Sequence, residues 1–305
     1  MFGQLSLISH YTIPTMNTIG NAFNIFKRAL AGIYDANETE ALTLLALSEI
    51  TSWSKAKIKA FPELQLAPEQ SEKAKSMLTR LQTGEPIQYI LGHTEFYGLN
   101  FKVNPSVLIP RPETEELVEW ALASVGSGQL AVGSNVLDIG TGSGCIAISL
   151  KKNLPDANVS AIDISLKALE TAKENAKLNA VEVNFIEGDI LNPSNYSLLT
   201  NHYSLIISNP PYVTQHDKTQ MHQNVTAFEP HTALFVPEDD PLLFYKAIAD
   251  FAVKNLKTGG LLFFEINESL GKEMVELLED KGFKDIELRK DMSGRDRMIK
   301  AVKQT

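Results

Sequence analysis

The chain has 305 residues, of which 44% are hydrophobic and 21% charged. That much apolar material supports a packed core and excludes a disordered chain, and the length suits about two domains. No apolar run nears the roughly 18 residues that a membrane span needs, so no membrane partner is expected. The single cysteine, Cys145, rules out an internal disulfide and a cysteine-rich metal site, so no metal centre is expected. This usage fits a reducing, cytoplasmic setting. The net charge of -9 falls entirely after residue 110, where 19 basic side chains face 28 acidic ones. Phosphate affinity comes mainly from Lys and Arg, so direct binding to duplex nucleic acid is not expected.

Residues 1–16 carry no charged side chain and lack the basic start of a secretory leader. They read as a disordered extension. Residues 17–85 read as a helical domain. Ile19, Ala22, Phe23, Phe26, Leu30 and Ile33 recur at helical spacing, and Asn37 with Glu40 matches a capping box. Pro68 suits the first turn of a helix that carries Ala74, Met77, Leu78 and Leu81 on one face, and Gly84 suits its stop. Residues 86–110 turn β-branched and aromatic, with Gly92 and Gly98 as breakers, and read as a β-hairpin linker. Pro110 and Pro112 stiffen the entry to the third region, 111–305, where a helix runs through Leu117, Val118, Trp120, Ala121 and Leu122.

From residue 134 strands and helices alternate. Strands are expected at Val136–Ile139, Val159–Asp163, Val183–Glu187, Ser204–Ser208 and Leu261–Ile266. Helices are expected at Gly144–Asn153, Leu166–Asn179, Leu242–Asn255 and Leu270–Lys281. This alternation predicts an α/β fold whose mostly parallel sheet is covered on both faces. At the end, Lys284–Arg289 and Arg297–Val302 have no helix between them, so they must pair antiparallel.

Two motifs carry the chemistry. In VLDIGTGSGCIAISL, Gly140, Gly142 and Gly144 alternate with Thr141 and Ser143 between a strand and a helix. Glycines there allow positive φ and close approach of a ligand to the backbone. Asp163 ends the next strand at the spacing of a carboxylate that grips ribose hydroxyls. A dinucleotide fingerprint would place its third glycine at position 145, which is Cys. Asp138 before the turn suits a cation. Both points favour S-adenosylmethionine, a sulfonium carrying an ammonium group.

The second motif, Asn209-Pro210-Pro211-Tyr212, follows the apolar run Ser204–Ser208. The two prolines fix φ and donate no hydrogen bond, so the loop presents carbonyls. The Asn209 side-chain oxygen and the Pro210 carbonyl suit the two N–H bonds of a planar NH2 group, and Tyr212 offers a face for stacking. Such a nitrogen is a poor nucleophile, and two acceptors favour the more positive nitrogen of a methyl-transfer transition state.

These motifs resemble those of the protein-(glutamine-N5) methyltransferases that modify peptide chain release factors. The resemblance covers roughly residues 17–305. It rests on GEPIQYILGHTEFYGLNFKVNPSVLIPRPETEELV, DIGTGSGCIAISL, AIDIS, IISNPPY, FEPHTALF, GGLLFFEIN and SGRDRMI. It implies a class I methyltransferase domain, Rossmann-like, with seven strands and a C-terminal antiparallel hairpin, preceded by a helical bundle that recognises the substrate. It further implies S-adenosylmethionine as cofactor and the glutamine of the Gly-Gly-Gln motif of class 1 release factors as methyl acceptor. By motif, Asp138, Gly140 to Gly144, Asp163 and Asn209 look like the cofactor site, with Asp189 and Ile190 against the adenine. Asn209, Pro210, Pro211 and Tyr212 look like the amide site, with Asn209, Pro210 and Tyr212 catalytic. Phe96 resembles an aromatic wall over the reacting group and reads equally as a core aromatic of the hairpin. Arg111 and Glu113 to Glu116 suit structural salt bridges at least as well as substrate contact. Arg295 and Arg297 read as turn residues or as supports of the active-site loop. Asn267 stands where the family commonly has glycine.

Two rivals remain at this stage. An N-methyltransferase acting on adenine or guanine shares the Asn-Pro-Pro-Tyr motif and predicts a basic groove. A binding module that holds S-adenosylmethionine without turnover would not need an intact acceptor loop.

Overall fold

The computed structural model describes residues 13–124, 133–192, 202–219 and 223–304. The reading of residues 1–12 as disordered lies outside these. The chain forms two compact units, divided between Leu91 and Gly92.

The first unit is helical, with α1 (Ile19–Leu30), α2 (Ala36–Thr51), α3 (Lys55–Ala60), α4 (Pro68–Gln82) and α5 (Ile87–Leu91). Thr18, Asp35 and Ser54 cap the first three, each side chain accepting from the backbone N–H three residues on. The expected capping pair Asn37–Glu40 is therefore corrected to Asp35 with Glu38. Asp35 keeps an extended backbone while Asn37 already lies inside α2. Met16, Ile19, Phe26, Leu30, Leu47, Ala74 and Leu78 are buried together. Met16 is thus a core residue rather than the end of a tail. Ile33 falls beyond α1 and is exposed. Gly84, at φ +83°, follows the cap of α4. The segment Ile87–Leu91, expected to start a hairpin, is one turn of helix that ends at Gly92 (φ +78°). Five residues, four of them apolar or aromatic, are too few for a period that separates helix from strand. Trp53 lies under the Lys57 ammonium, 4.3 Å from its ring centroid.

The second unit begins with a hairpin, β1 (His93–Phe96) and β2 (Leu99–Lys102). Its turn, Tyr97-Gly98, takes positive φ at both residues, as a tight hairpin turn demands. There follow α6 (Pro112–Ser124), β3 (Asn135–Ile139), α7 (Cys145–Asn153), β4 (Asn158–Asp163), α8 (Leu166–Leu178), β5 (Asn184–Glu187) and β6 (Tyr203–Ser208). Three short helices come next, α9 (Gln215–Lys218), α10 (Gln223–Phe228) and α11 (His231–Leu234). The chain closes with α12 (Leu243–Asn255), β7 (Leu256–Glu265), α13 (Gly271–Asp280), β8 (Phe283–Lys290) and β9 (Asp296–Lys303).

The sheet has seven strands in the order β5-β4-β3-β6-β7-β9-β8. The first five are parallel, β9 is antiparallel to β7, and β8 is antiparallel to β9. All six residues of β6 are buried, its apolar centre Leu205–Ile207 flanked by two buried serines. On one face of the sheet a core gathers Leu117, Trp120, Ile146, Leu150 and Phe263. On the other it gathers Leu137, Ile206, Tyr245, Phe264 and Met274. Trp120 packs edge-on to Phe263 at 5.3 Å, and the Arg289 guanidinium covers it at 4.1 Å.

β7 starts five residues earlier than expected. Between Tyr203 and Leu205 its partner jumps from Leu256 to Leu261, so Lys257–Gly260 form a bulge. A side chain at Gly260 would stand 2.8 Å from the Lys257 carbonyl.

Candidate active site

Strand order reverses between β3 and β6, the switch point where open α/β sheets bind ligands. Ser208 closes the gap by donating to the Ile139 carbonyl at 2.6 Å. A cavity of about 350 Å³ opens beside it. Its wall is formed by Gly140, Gly142, Asp163 to Ser165, Gly188 to Leu191 and Ser208 to Pro211. Ser106 to Leu108, residues around Pro230 and apolar side chains such as Phe235 and Phe244 also line it.

The glycine turn is shaped by its own backbone. Gly140, Gly142 and Gly144 have φ of +75°, +55° and +82°. At Gly140 and Gly142 a Cβ would meet nothing within 4 Å, so the turn leaves open space on the cavity side. At Gly144 a Cβ would come within 2.9 Å of Ile148 and 3.1 Å of Ala172. Asn175, fully buried, joins the turn to the hairpin. It donates to the Ser143 and Lys102 carbonyls at 2.9 and 3.0 Å, and accepts from the Lys102 N–H at 2.7 Å.

Asp163 reaches the cavity wall with one carboxylate oxygen held by the Gly142 N–H (2.8 Å) and the other by the Ser165 N–H (2.9 Å). Burial raises its pKa against those bonds. Asp189 and Ile190 also line the cavity.

Asp138, Thr141, Ser143 and Gly144 do not line it. Asp138 lies wholly buried, accepts from the Thr141 hydroxyl at 2.6 Å through one oxygen, and leaves the other without a partner. Burial pushes its pKa up to about 7. The carboxylate expected to face a cationic ligand is thus buried behind the turn's backbone and is no part of the cavity wall. Cys145 begins α7, buried, its thiol pushed up to about 12 by burial, and so is unreactive.

Of the second motif, Asn209, Pro210 and Pro211 line the cavity and Tyr212 does not. Tyr212 donates its hydroxyl to Glu265 Oε1 at 3.0 Å, and its ring packs against the core. Burial, with the Glu265 carboxylate adding to it, drives the phenol well above its ordinary pKa. Its expected stacking face is therefore turned to the core, and the residue anchors the loop. Phe96 likewise packs inside, edge-on to Phe101 at 6.0 Å, and does not line the cavity. Its place at the buried end of a strand position decides for the core reading.

Several residues outside the two motifs hold the site, of which Glu265, Thr114 and Glu229 have no role assigned from the sequence. Glu265, fully buried, accepts from the Thr114 hydroxyl at 2.6 Å and from Tyr212. Burial raises its pKa, against these two bonds and the charge of Arg297. Thr114 in turn accepts from Asn209 Nδ2 at 3.3 Å. Asn267 donates to the Tyr212 carbonyl (3.2 Å) and to Asp217 (3.1 Å), so the residue in place of glycine helps to hold the loop. Glu229, of FEPHTALF, is buried and pairs with Arg111, while its other oxygen accepts from the Ile109 N–H at 3.2 Å. Arg111 is thus a structural ion pair that fixes the segment before α6. Arg297 bonds Asp291 at 3.2 Å and Glu268 at 3.4 Å, and Arg295 bonds Glu268 at 3.2 Å. One signal for Glu265 was present: a carboxylate ending a buried run, at the edge where ligands bind.

The open space at two glycines and the half-sheltered Asp163 fit an adenosyl ligand. Beside them, a rigid loop offers carbonyl acceptors and no proton donor from its prolines. Together the seven-stranded sheet and this site define a Rossmann-like methyltransferase. A family model for the methyltransferase small domain matches residues 126–229, and one for the PrmC N-terminal domain matches residues 21–92. A release factor glutamine methyltransferase of Flavobacterium psychrophilum is 49% identical over 275 residues, covering 90% of this chain and 95% of that protein. One of Bacteroides thetaiotaomicron is 42% identical, covering 90% and 96%. A solved methyltransferase of Pyrococcus furiosus shares the fold, with a TM-score of 0.50, 18% identity and coverage of 69% of this chain and 91% of that one. The chain belongs to the release factor glutamine methyltransferase family.

Among the described residues no helix is long and apolar enough to cross a membrane, and no cluster of side chains could hold a metal ion.

Proposed function

We propose that this chain methylates the side-chain amide nitrogen (N5) of the glutamine in the Gly-Gly-Gln motif of class 1 release factors, in the cytoplasm. S-adenosylmethionine is the donor, held by the glycine turn, Asp163, Asp189 and Ile190, and when bound it supplies a methyl group made electrophilic by the sulfonium. The helical region 17–85 recognises the release factor. The relatives' activity supports the reaction, and the acidic body speaks against nucleic acid as the acceptor.

The observation that carries the reading is Asn209. Asn209 lines the cavity next to Pro210, while one of its two Nδ2 protons is given to Thr114. That leaves Oδ1 as an acceptor. With the Pro210 carbonyl it receives the two N–H bonds of the glutamine amide and orients the nitrogen lone pair. Acceptors on both N–H bonds stabilise the positive charge that develops as the N–CH3 bond forms. The nitrogen then sheds one proton to water, so no strong base is needed beforehand.

The test is mass spectrometry of purified release factor after incubation with this protein and S-adenosylmethionine. A single methyl increment on the Gly-Gly-Gln peptide is expected. An unmodified peptide, or a methyl group elsewhere on the factor, would refute the assignment.

A further inference from the structure

We propose that Glu265, acting through Thr114, sets which end of the Asn209 carboxamide is offered to the substrate, and is a positioning residue for methyl transfer. A carboxylate accepts and cannot donate. Glu265 takes one proton on each oxygen, from Tyr212 at 3.0 Å and from Thr114 at 2.6 Å. A threonine hydroxyl has one proton to give, and here it is committed to Glu265. The Thr114 oxygen therefore meets Asn209 only as an acceptor, and the 3.3 Å contact is a bond donated by Nδ2.

Were the carboxamide reversed, its oxygen would face a hydroxyl oxygen with no proton to share. Thr114 and Glu265 are both buried, so no bulk water relieves that clash of lone pairs. The direction of every hydrogen bond in the group thus follows from the charge of a single carboxylate. The same carboxylate grips both ends of the loop, Asn209 through Thr114 and Tyr212 directly. Its own backbone carbonyl is held by the Tyr245 hydroxyl at 3.2 Å. A neutral amide at position 265 would remove this polarity, because it can donate to Thr114 and let that hydroxyl turn to Asn209.

This inference rests on the reading of Asn209 as an acceptor for the glutamine amide, and two arms separate the failure of one from the failure of the other. The first measures kcat, KM and S-adenosylmethionine affinity of the full chain acting on release factor. Thr114→Val, which keeps the shape and loses the hydroxyl, should cut kcat by on the order of 10- to 100-fold, with KM and cofactor affinity within about twofold. Glu265→Gln should fall in the same way, and Thr114→Ser should restore most of the rate. An unchanged kcat in Thr114→Val would overturn the proposal, as would equal losses in Thr114→Ser and Thr114→Val.

The second arm needs no substrate. The Asn209 side-chain NH2 signals in an NMR spectrum of the 15N-labelled protein should show one proton protected from exchange. That protection should persist in Thr114→Ser and vanish in Thr114→Val. Protection that ignores the hydroxyl would overturn the proposal. A wild-type chain that fails to methylate release factor yet keeps this pattern would refute the substrate reading and leave the orientation of Asn209 standing.

Discussion

Two loops stand at the ends of neighbouring parallel strands, the glycine turn after β3 and the Asn-Pro-Pro-Tyr loop after β6, and they are built by opposite means. The glycine turn takes its shape mainly from three positive φ angles within it, with Asp163 and Asn175 bonded to its backbone from the next strand and helix. The second loop is shaped by side chains far away along the chain. Thr114 lies 95 positions from Asn209, and Glu265 lies 53 from Tyr212. A binding surface made of backbone depends first on its glycines, whose positive φ no other residue adopts without strain. An acceptor made of one carboxamide needs remote supports to hold its direction.

The largest effect should follow from breaking the turn. Gly144→Val puts a branched side chain into a 2.9 Å contact with Ile148 at φ +82°. Overpacking and a left-handed backbone together should cost about 3–5 kcal/mol. Calorimetric titration should find cofactor binding lost, and denaturant unfolding should show reduced stability. Normal binding would mean that the turn tolerates what its geometry forbids.

Next comes the carboxylate beneath that turn. The Asp138 pKa rises from the ordinary range near 4 to about 7 on folding, so the folded chain holds this proton more tightly than the unfolded one. Raising the pH from about 4 to about 7 therefore releases the proton preferentially on unfolding and lowers stability, with a plateau above. The loss is at most about 4 kcal/mol. Unfolding free energies across that window should fall more steeply for the wild type than for Asp138→Asn. Parallel curves would show that Asp138 is ionised throughout.

A smaller change should follow from Asn209→Ala. The rate should drop on the order of 10²-fold with cofactor affinity near normal, because the loop contributes to the transition state and the turn to binding. A loss of affinity equal to the loss of rate would erase the distinction between the two loops. The smallest effect belongs to Asn267→Gly, which removes the bond to the Tyr212 carbonyl. It should cost about 0.5–1.5 kcal/mol of stability by thermal or chemical unfolding, with kcat within a few-fold. An effect as large as that of Asn209→Ala would make Asn267 a principal support of the loop.

The contrast also explains what the sequence made legible. Short β-branched and apolar stretches mark the centres of parallel strands, so the expected bounds of β3, β4 and β6 agree with the structure within one residue at either end. The antiparallel close followed from the short link between its strands. The glycine turn was visible because its rule is local. The tie from Asn209 to Thr114 and Glu265 was not, since no pattern along the chain announces a contact across 95 or 151 positions. The motif leaves Phe96 open between cavity wall and core and points Tyr212 at the cavity, because it supplies residue types without saying which side of the backbone each takes. The start of β7 was missed because the polar Lys257 and Thr258 and two glycines look like a turn, and here they form a bulge inside a strand.

The chain has two tryptophans, and each belongs to a different unit: Trp53 beneath Lys57 in the helical one, Trp120 beneath Arg289 in the other. Each half of the protein therefore carries its own fluorophore beside a cation. With one replaced by phenylalanine, emission from the survivor reports the melting of its half alone. Whether the helical bundle and the catalytic sheet lose structure together or in succession becomes a question that an ordinary fluorimeter can answer.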